Sequence, residues 1–319
     1  MTQASWHIGD LLKVTTAYLK KKSIESPRLT AEVLLAHLLG IDRVTLYLQF
    51  EKPLTESELS GYRSLVSRRV RMEPLQYITG IQEFWSMEFQ VDPRVLIPRP
   101  ETELLVEQAL ARVGQKEPEK DSPRRLLDLG TGSGILAVSM AKELPTWEVW
   151  ATDNSPGALE VARMNAEKHR LGDQIRFRQG DLFQPLKSEG ILFHLILSNP
   201  PYVGEGEYGS LAPEVREYEP RIALAAGKEG MAFIPRILHD GSDFLSPGGW
   251  LLVEMAPGQT ERAMKIAETA GSYAEIHRVR DYSGRYRALC ARRLSENRLL
   301  LRSAANSDGC VVKPKTSST

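Results

Sequence analysis

The sequence predicts an α/β protein built on a mostly parallel sheet, preceded by a small N-terminal helical domain. Three observations carry this expectation. From residue 98 onward, short apolar runs alternate with amphipathic stretches of about 10–15 residues, the rhythm of strand-helix-strand units. One run, "FHLILS" at 193–198, does not alternate, as suits a strand covered on both faces. The first 73 residues, by contrast, carry only helical periodicity.

Taken in order, "SWHIGDLLKVTTAYLKKKSI" repeats apolar residues at three and four, and "SPRLTAEVLLAHLLG" follows Ser26 with a proline at the first helical position and closes at Gly40. A further helix opens at Thr55, with Glu58 three places on as a capping box requires. Residues 74–97 change to short alternating runs punctuated by Gly80 and Pro93, which predicts a hairpin and linker. The α/β domain is expected over 98–293. Its strands are read at "RRLLDLG", "WEVWATD", "IRFRQGD", "FHLILSNP", "GWLLVEMA" and "RALCARRL"; its helices follow Glu101 and lie at 135–143, 156–168, 229–240 and 258–270. A solvated loop is expected at 115–123, and residues 294–319 read as a disordered extension.

Lys plus Arg and Asp plus Glu both number 41, so the formal net charge is zero and no global field draws in a nucleic acid. The one concentrated basic patch, "VSRRVR" at 66–71, sits at a helix end, where cations are favoured anyway. No long apolar run and no signal-like start are present, which argues against membrane spanning and secretion. Two distant cysteines, Cys290 and Cys310, form no disulfide framework and fit a reducing cytoplasm, and the scattered histidines offer no metal-ligand spacing.

"LLDLGTGSGILAVSMA" sets Asp128, Gly130, Gly132 and Gly134 at the passage from the first strand into a helix, where glycines let a ligand approach the main chain. The next strand ends at Asp153, about 20 residues on, where a carboxylate can accept from both hydroxyls of a ribose. Glycines at one, three and five differ from the one-three-six spacing that holds a pyrophosphate, and Asp128 in the turn would repel one. An amino-bearing cation with a ribose suits both acids, so S-adenosylmethionine is the expected cofactor. Asp181, in "GDLF" after the third strand, stands where it could hold an adenine amine, or else caps a helix. Thr131, Asn154, Leu182 and Asn199 complete the expected cofactor set; no metal is expected.

Asn199-Pro200-Pro201-Tyr202 follows the fourth strand, in the crevice where open α/β sheets bind ligands. Prolines fix φ and donate no hydrogen bond, so the Pro200 carbonyl is left to face a cavity beside the Asn199 side-chain carbonyl. Two acceptors aimed at one point match a planar –NH2, with the Tyr202 ring available to stack on its plane. The predicted catalytic residues are therefore Asn199, Pro200 and Tyr202, and Pro201 joins them in the substrate site. A plain strand-ending turn is the duller reading of the same residues.

Together "SPRLTAEVLLAHLLG", "RMEPLQYITGIQEFW", "VLIPRPETELLVE", "DLGTGSG", "NPPY" and "YEPRIALAAGKEG" resemble the PrmC/HemK family, protein-(glutamine-N5) methyltransferases acting on peptide chain release factors. The resemblance spans about residues 26–290. It implies a class I S-adenosylmethionine-dependent methyltransferase fold, Rossmann-like with a seven-stranded sheet. It also implies methylation of the glutamine amide in the Gly-Gly-Gln motif of class 1 release factors, by a cytoplasmic monomer with no stable nucleic acid partner. On the family's pattern, Asn199 and Pro200 hold the glutamine amide, Tyr202 packs on it, and Gly130, Gly132 and Asp153 cradle the cofactor. The helical domain would help recognise the release factor, and Pro98–Glu103 would wall the site.

"PRPETE" also reads simply as a proline-started helix with acids in its first turn, which accounts for Glu101 and Glu103 without chemistry and leaves Arg99 undecided. Residues 204–228, with Tyr208, Glu219 and Arg221, have few secondary signals and could close over a peptide. "RDYSGRYRAL" departs from the family's pattern by carrying Tyr282 and Tyr286. Two rivals share the motifs: a methyltransferase acting on adenine N6 or guanine N2 of a nucleic acid, which presents the same –NH2, and a non-enzymatic adaptor that binds the nucleoside without moving a methyl group.

Overall fold

A computed structural model describes residues 6–113 and 123–295. The expected loop at 115–123 and the extension after Arg293 lie, but for residues 123, 294 and 295, outside them. The described chain divides into two compact units. One runs to Pro98 and also takes Glu207–Leu224; the other comprises Arg99–Gly206 and the chain from Ala225 onward.

The first unit begins with helices α1 (Ile8–Lys21), α2 (Pro27–Leu39), α3 (Arg43–Leu48), α4 (Glu56–Val70) and α5 (Leu75–Thr79). Pro27 stands at the start of α2 and Gly40, at φ 64°, ends it, as the sequence predicts. Thr55 and Glu58 form the full capping box of α4. Apolar stripes of these helices meet in one core around Leu12, Leu34, Leu35, Leu46 and Tyr62. A buried carboxylate, Glu32, is satisfied by Arg28, Arg43 and the Tyr47 hydroxyl, which hold its pKa below the ordinary range against the opposing cost of burial. The predicted hairpin is present as β1 (Ile81–Phe84) and β2 (Met87–Gln90), with Phe84 opposite Met87.

The second unit follows the expected rhythm: α6 (Glu103–Val113), β3 (Arg125–Leu129), α7 (Ile135–Glu143), β4 (Glu148–Asp153), α8 (Pro156–Lys168), β5 (Ile175–Gln179) and β6 (Phe193–Ser198). In chain order the short helices α9 (Glu205–Tyr208), at the boundary, and α10 (Pro213–Tyr218), which belongs to the first unit, come next; the second unit resumes with α11 (Ile234–Phe244), β7 (Leu245–Glu254), α12 (Thr260–Ala270), β8 (Tyr273–Arg280) and β9 (Tyr286–Arg293). The seven strands lie in the order β5-β4-β3-β6-β7-β9-β8. All neighbours are parallel until β9, which pairs antiparallel with β7 and β8. β6 is the middle strand, so its residues 195–198 are all buried and the lack of alternation is explained.

Two readings need correction. β8 has no counterpart among the strands read from the sequence, because "YAEIHRVR" is an edge strand whose half-polar residues blur both the apolar-run and the alternation signals. The helix expected at 229–240 starts instead at Ile234: Gly230 adopts φ 71°, and Pro235 marks the first turn of α11.

Residues 207–224 are not a free loop. Within the first unit, the Tyr218 hydroxyl donates to the Arg71 carbonyl at 2.7 Å, Glu214 pairs with Arg69 at 2.6 Å, and the buried Glu219 accepts from the Ile97 N–H at 3.2 Å. Arg221 lies over the Tyr208 ring. Arg68 pairs with Glu73. The "VSRRVR" patch is thus largely engaged in internal contacts.

Candidate active site

The chain runs β3, β4, β5 outward on one side of the sheet and then returns to place β6 on the other side of β3. The carboxyl ends of β3 and β6 therefore flank the point where strand order reverses, the usual ligand crevice of such sheets. At this edge stand the glycine turn after β3, Asp153 ending β4, Asn199 following β6 and Glu254 ending β7.

The Gly130 and Thr131 N–H groups both donate to the Thr152 carbonyl at 2.9 Å, which ties the turn to β4. All three glycines have positive φ, yet they do different things. A Cβ on Gly130 or Gly132 would meet nothing within 4 Å, so these two leave open space for a ligand, whereas one on Gly134 would lie 3.1 Å from Ala162 of α8. Gly134 thus serves the packing of α7 on α8.

Asp128 is fully buried. Its Oδ2 accepts from the Thr131 hydroxyl at 2.6 Å and from the Ala137 N–H in the first turn of α7 at 3.0 Å, while Oδ1 has no partner among the described residues. Burial pushes its pKa up to about 7, opposed by those two donors. Asp153 accepts from the Gly132 N–H at 2.9 Å on one oxygen and the Ser155 N–H at 2.8 Å on the other. Burial raises its pKa, against the pull of these and the Asn154 N–H. Each Asp153 oxygen retains acceptor capacity for a ribose hydroxyl. An orphaned buried carboxylate oxygen, an open glycine turn and a two-oxygen acceptor together fit a ribose-bearing cation with an amino group.

Asp181 and Leu182 follow β5. The Asp181 side chain caps no helix; it pairs with Arg236 at 2.5 Å, and both are substantially exposed. Leu182 holds φ at 48°, rare for a residue with a side chain, and packs against the core.

The Ser198 hydroxyl donates to the Leu129 carbonyl at 2.8 Å, locking the end of β6 to β3. Directly beyond it, Asn199 donates from Nδ2 to the Thr102 hydroxyl oxygen at 3.0 Å. Among the described residues nothing donates to Asn199 Oδ1 or to the Pro200 carbonyl, so both acceptors are available. The Tyr202 carbonyl accepts from Gln259 Nε2 at 2.9 Å, and the same amide nitrogen donates to the Gly230 carbonyl at 3.0 Å. A Cβ on Gly230 would collide with the Tyr202 carbonyl at 2.4 Å and with Gln259 Nε2 at 2.5 Å, so only glycine fits under the Pro201–Tyr202 backbone. The Tyr202 hydroxyl approaches Glu254 Oε1 at 3.4 Å. Burial and the facing Glu254 push the Tyr202 pKa up, so the phenol stays protonated.

Thr102, Gly230, Glu254 and Gln259 form this support; from sequence Thr102 entered only as part of the Pro98–Glu103 wall, and the other three were given no role. One signal pointed to Glu254: it is the single acid in the apolar strand "GWLLVEMA". Of "PRPETE", Glu101 is exposed and Glu103 opens α6, whereas Thr102 between them is fully buried and reaches the site. Tyr282 donates to Glu107, and Tyr286 lies under Arg278 and Arg280, each at 4.1 Å; both departures from the family's pattern are engaged in the β8–β9 region. No helix among the described residues is long and apolar enough to cross a membrane, and no metal-binding group of His, Cys, Asp or Glu is found among them.

Comparison with known proteins adds independent findings. Residues 10–80 match the family model described as the PrmC N-terminal domain, and residues 102–213 match the methyltransferase small domain. The release factor glutamine methyltransferase of Geobacter sulfurreducens is 44% identical over 279 residues, covering 88% of this chain and 94% of that protein. Its counterpart in Rhodopirellula baltica is 42% identical, covering 89% and 95%, and that of Aliivibrio fischeri is 36% identical, covering 92% and 100%. Among solved structures, the hMettl16 catalytic domain in complex with the MAT2A 3'UTR hairpin 1 superposes with a TM-score of 0.51 at 15% identity, covering 83% of this chain and 85% of that one; the likeness is one of fold.

Proposed function

The chain belongs to the release factor glutamine methyltransferase family, and from that premise we propose that it methylates the side-chain amide nitrogen of the glutamine in the Gly-Gly-Gln loop of a class 1 release factor, using S-adenosylmethionine. The observation that carries the reading is the pair of acceptors with no donor among the described residues, Asn199 Oδ1 and the Pro200 carbonyl, at the end of the middle strand. Bound S-adenosylmethionine supplies a methyl group on a sulfonium, an electrophile with a good leaving group. Asp153 holds the ribose, Asp128 balances the cationic end, and Gly130 and Gly132 leave room for the ligand along the main chain.

An amide nitrogen is a poor nucleophile because its lone pair is delocalised into the carbonyl. Asn199 Oδ1 and the Pro200 carbonyl accept its two N–H bonds, orienting the nitrogen toward the methyl carbon. The Tyr202 ring lies against the amide plane and excludes water. Methyl transfer would form the N–C bond as the C–S bond breaks, releasing the neutral thioether. The N-methylated amide, a strong acid while it carries the extra proton, would lose that proton to water as the product leaves; Asn199 and Pro200 orient the nitrogen and do not keep the proton. Alignment supplies the rate, so no strong base is required. The protein acts in the cytoplasm on a protein substrate, and the helical unit contributes to recognising it.

The test is transfer of tritium from labelled S-adenosylmethionine to a purified release factor with its Gly-Gly-Gln loop intact or carrying Gln→Ala, beside total RNA and DNA. Label on the intact factor alone is the expected outcome. Label on nucleic acid but not on the factor overturns the substrate assignment in favour of a base amine.

A further inference from the structure

Fully buried beneath the acceptor clamp are two polar side chains that the proposed chemistry does not use. Thr102 is 0% exposed and Glu254 is 1% exposed. Glu254 is placed there by register: β6 and β7 run parallel with Ser198 opposite Val253, so the next residues along the two strands are Asn199 and Glu254. A lone acid at the end of an apolar strand is costly to bury, and its Oε2 has no hydrogen-bond partner among the described residues. The Tyr202 hydroxyl approaches this carboxyl at 3.4 Å, and the Thr102 side chain lies near enough to oppose the rise that burial gives its pKa.

We infer that Thr102 and Glu254 together set the direction in which the Asn199 amide faces, and so act as positioning residues for the reacting amide. The inference rests on the reading of Asn199 Oδ1 as an acceptor for the substrate –NH2. An asparagine amide has nearly the same shape either way round but opposite hydrogen-bonding sense at its two ends. Turned over, it would present Nδ2 to the substrate nitrogen, donor against donor, and the clamp would fail. What prevents this is the partner on its far side. The Thr102 hydroxyl has one proton and can either donate to Asn199 or accept from it. Glu254 keeps an accepting oxygen beside it, so the Thr102 proton is drawn to Glu254 and the Thr102 lone pair is left for Asn199 Nδ2, across 3.0 Å. Oδ1 then faces outward. Because both groups are sealed from solvent, water cannot substitute for either in this chain of direction.

The test uses the full-length protein with an intact release factor, measuring kcat, the KM for the factor, and cofactor affinity by calorimetry. Four variants are compared: Thr102→Val, Thr102→Ser, Asn199→Ala, and the double variant Thr102→Val with Asn199→Ala. Thr102→Val, nearly isosteric, is expected to lower kcat by about 10–100-fold with KM and cofactor affinity nearly unchanged. Thr102→Ser keeps the hydroxyl and recovers most of the turnover. In the Asn199→Ala background Thr102→Val costs nothing further, because the hydroxyl acts only through Asn199. Two outcomes overturn the inference while leaving the clamp intact: an inactive Asn199→Ala beside a fully active Thr102→Val, or a loss on Thr102→Val that persists undiminished in the double variant. An Asn199→Ala protein with undiminished turnover instead overturns the clamp, and the inference with it.

Discussion

Two carboxylates lie fully buried at the carboxyl edge of the sheet, Asp128 on β3 and Glu254 two strands away on β7. Burial pushes both pKa values up to about 7, and each keeps one oxygen without a partner among the described residues. They differ in what holds them. Asp128 is fastened by groups within nine residues of itself, the Thr131 hydroxyl and the Ala137 N–H, so its site forms wherever the strand-turn-helix forms. Glu254 is approached by the Tyr202 hydroxyl at 3.4 Å and lies near Thr102, groups that reach it only through the assembled sheet. The cofactor half of the site is thus a local device and the acceptor half a tertiary one, and the two should fail differently.

The sharpest separation comes from Asn199→Ala, which removes a group that the proposed function gives to the acceptor substrate alone. Turnover should fall by on the order of a hundredfold or more while cofactor affinity stays within about threefold, read by tritium transfer and calorimetry. Equal loss of both would break the division into halves. Gly230→Ala should cost on the order of 2–4 kcal/mol of stability in chemical denaturation and lower turnover as well, since any Cβ displaces the Tyr202 carbonyl or Gln259. Unchanged stability would mean that the Pro201–Tyr202 backbone has slack there.

Asp128→Asn probes the other half and should act on stability with opposite sign. The folded pKa of Asp128, about 7, lies above the ordinary value of 3.8. Its stabilising share is therefore complete below that ordinary value and is lost as pH rises through about 7. At pH 8 the variant without cofactor should be more stable than the parent by on the order of 2 kcal/mol, and the parent's fall in stability from pH 4 to 8 should flatten. Its affinity for S-adenosylmethionine should drop by roughly tenfold, and the parent's rise in affinity through pH 7 should vanish. A variant that gains no stability at pH 8 would show that Asp128 is already compensated in the ligand-free protein.

Within the glycine turn, Gly134→Ala should cost about 1–3 kcal/mol through its contact with Ala162, whereas Gly132→Ala should chiefly weaken cofactor binding. The smallest effect belongs to the exposed Arg236–Asp181 pair. Arg236→Ala should leave stability within about 1 kcal/mol and tighten cofactor binding by roughly twofold by freeing the carboxylate for the adenine amine. Unchanged affinity would remove Asp181 from the cofactor set.

Much of the fold could be read from residue order because it is written in local periodicity. The capping box of α4, the proline and glycine bounding α2, the apolar middle strand and the glycine turn with Asp153 all depend on neighbours within one or two elements. The same holds for "NPPY", whose prolines constrain their own backbone wherever they stand. The edge strand β8 escaped because half-burial leaves little contrast between its two faces. Glu219, expected in a segment that could close over a peptide, and Arg69, expected only in a helix-end basic patch, instead make internal contacts hidden from sequence because their partners, Ile97 and Glu214, lie more than a hundred residues away.

By itself, then, the sequence determined most of the elements and the glycine turn and pointed to the two proposed acceptors, since backbone preference and side-chain chemistry are local properties. Only the tertiary structure decided what surrounds those proposed acceptors. That depends on β6 lying beside β7 in a register that sets Glu254 next to Asn199, and on Thr102 arriving from the segment before α6 to accept from Asn199. Hydrogen-bond direction in a sealed pocket belongs to the whole set of partners, and no single stretch of chain holds that set.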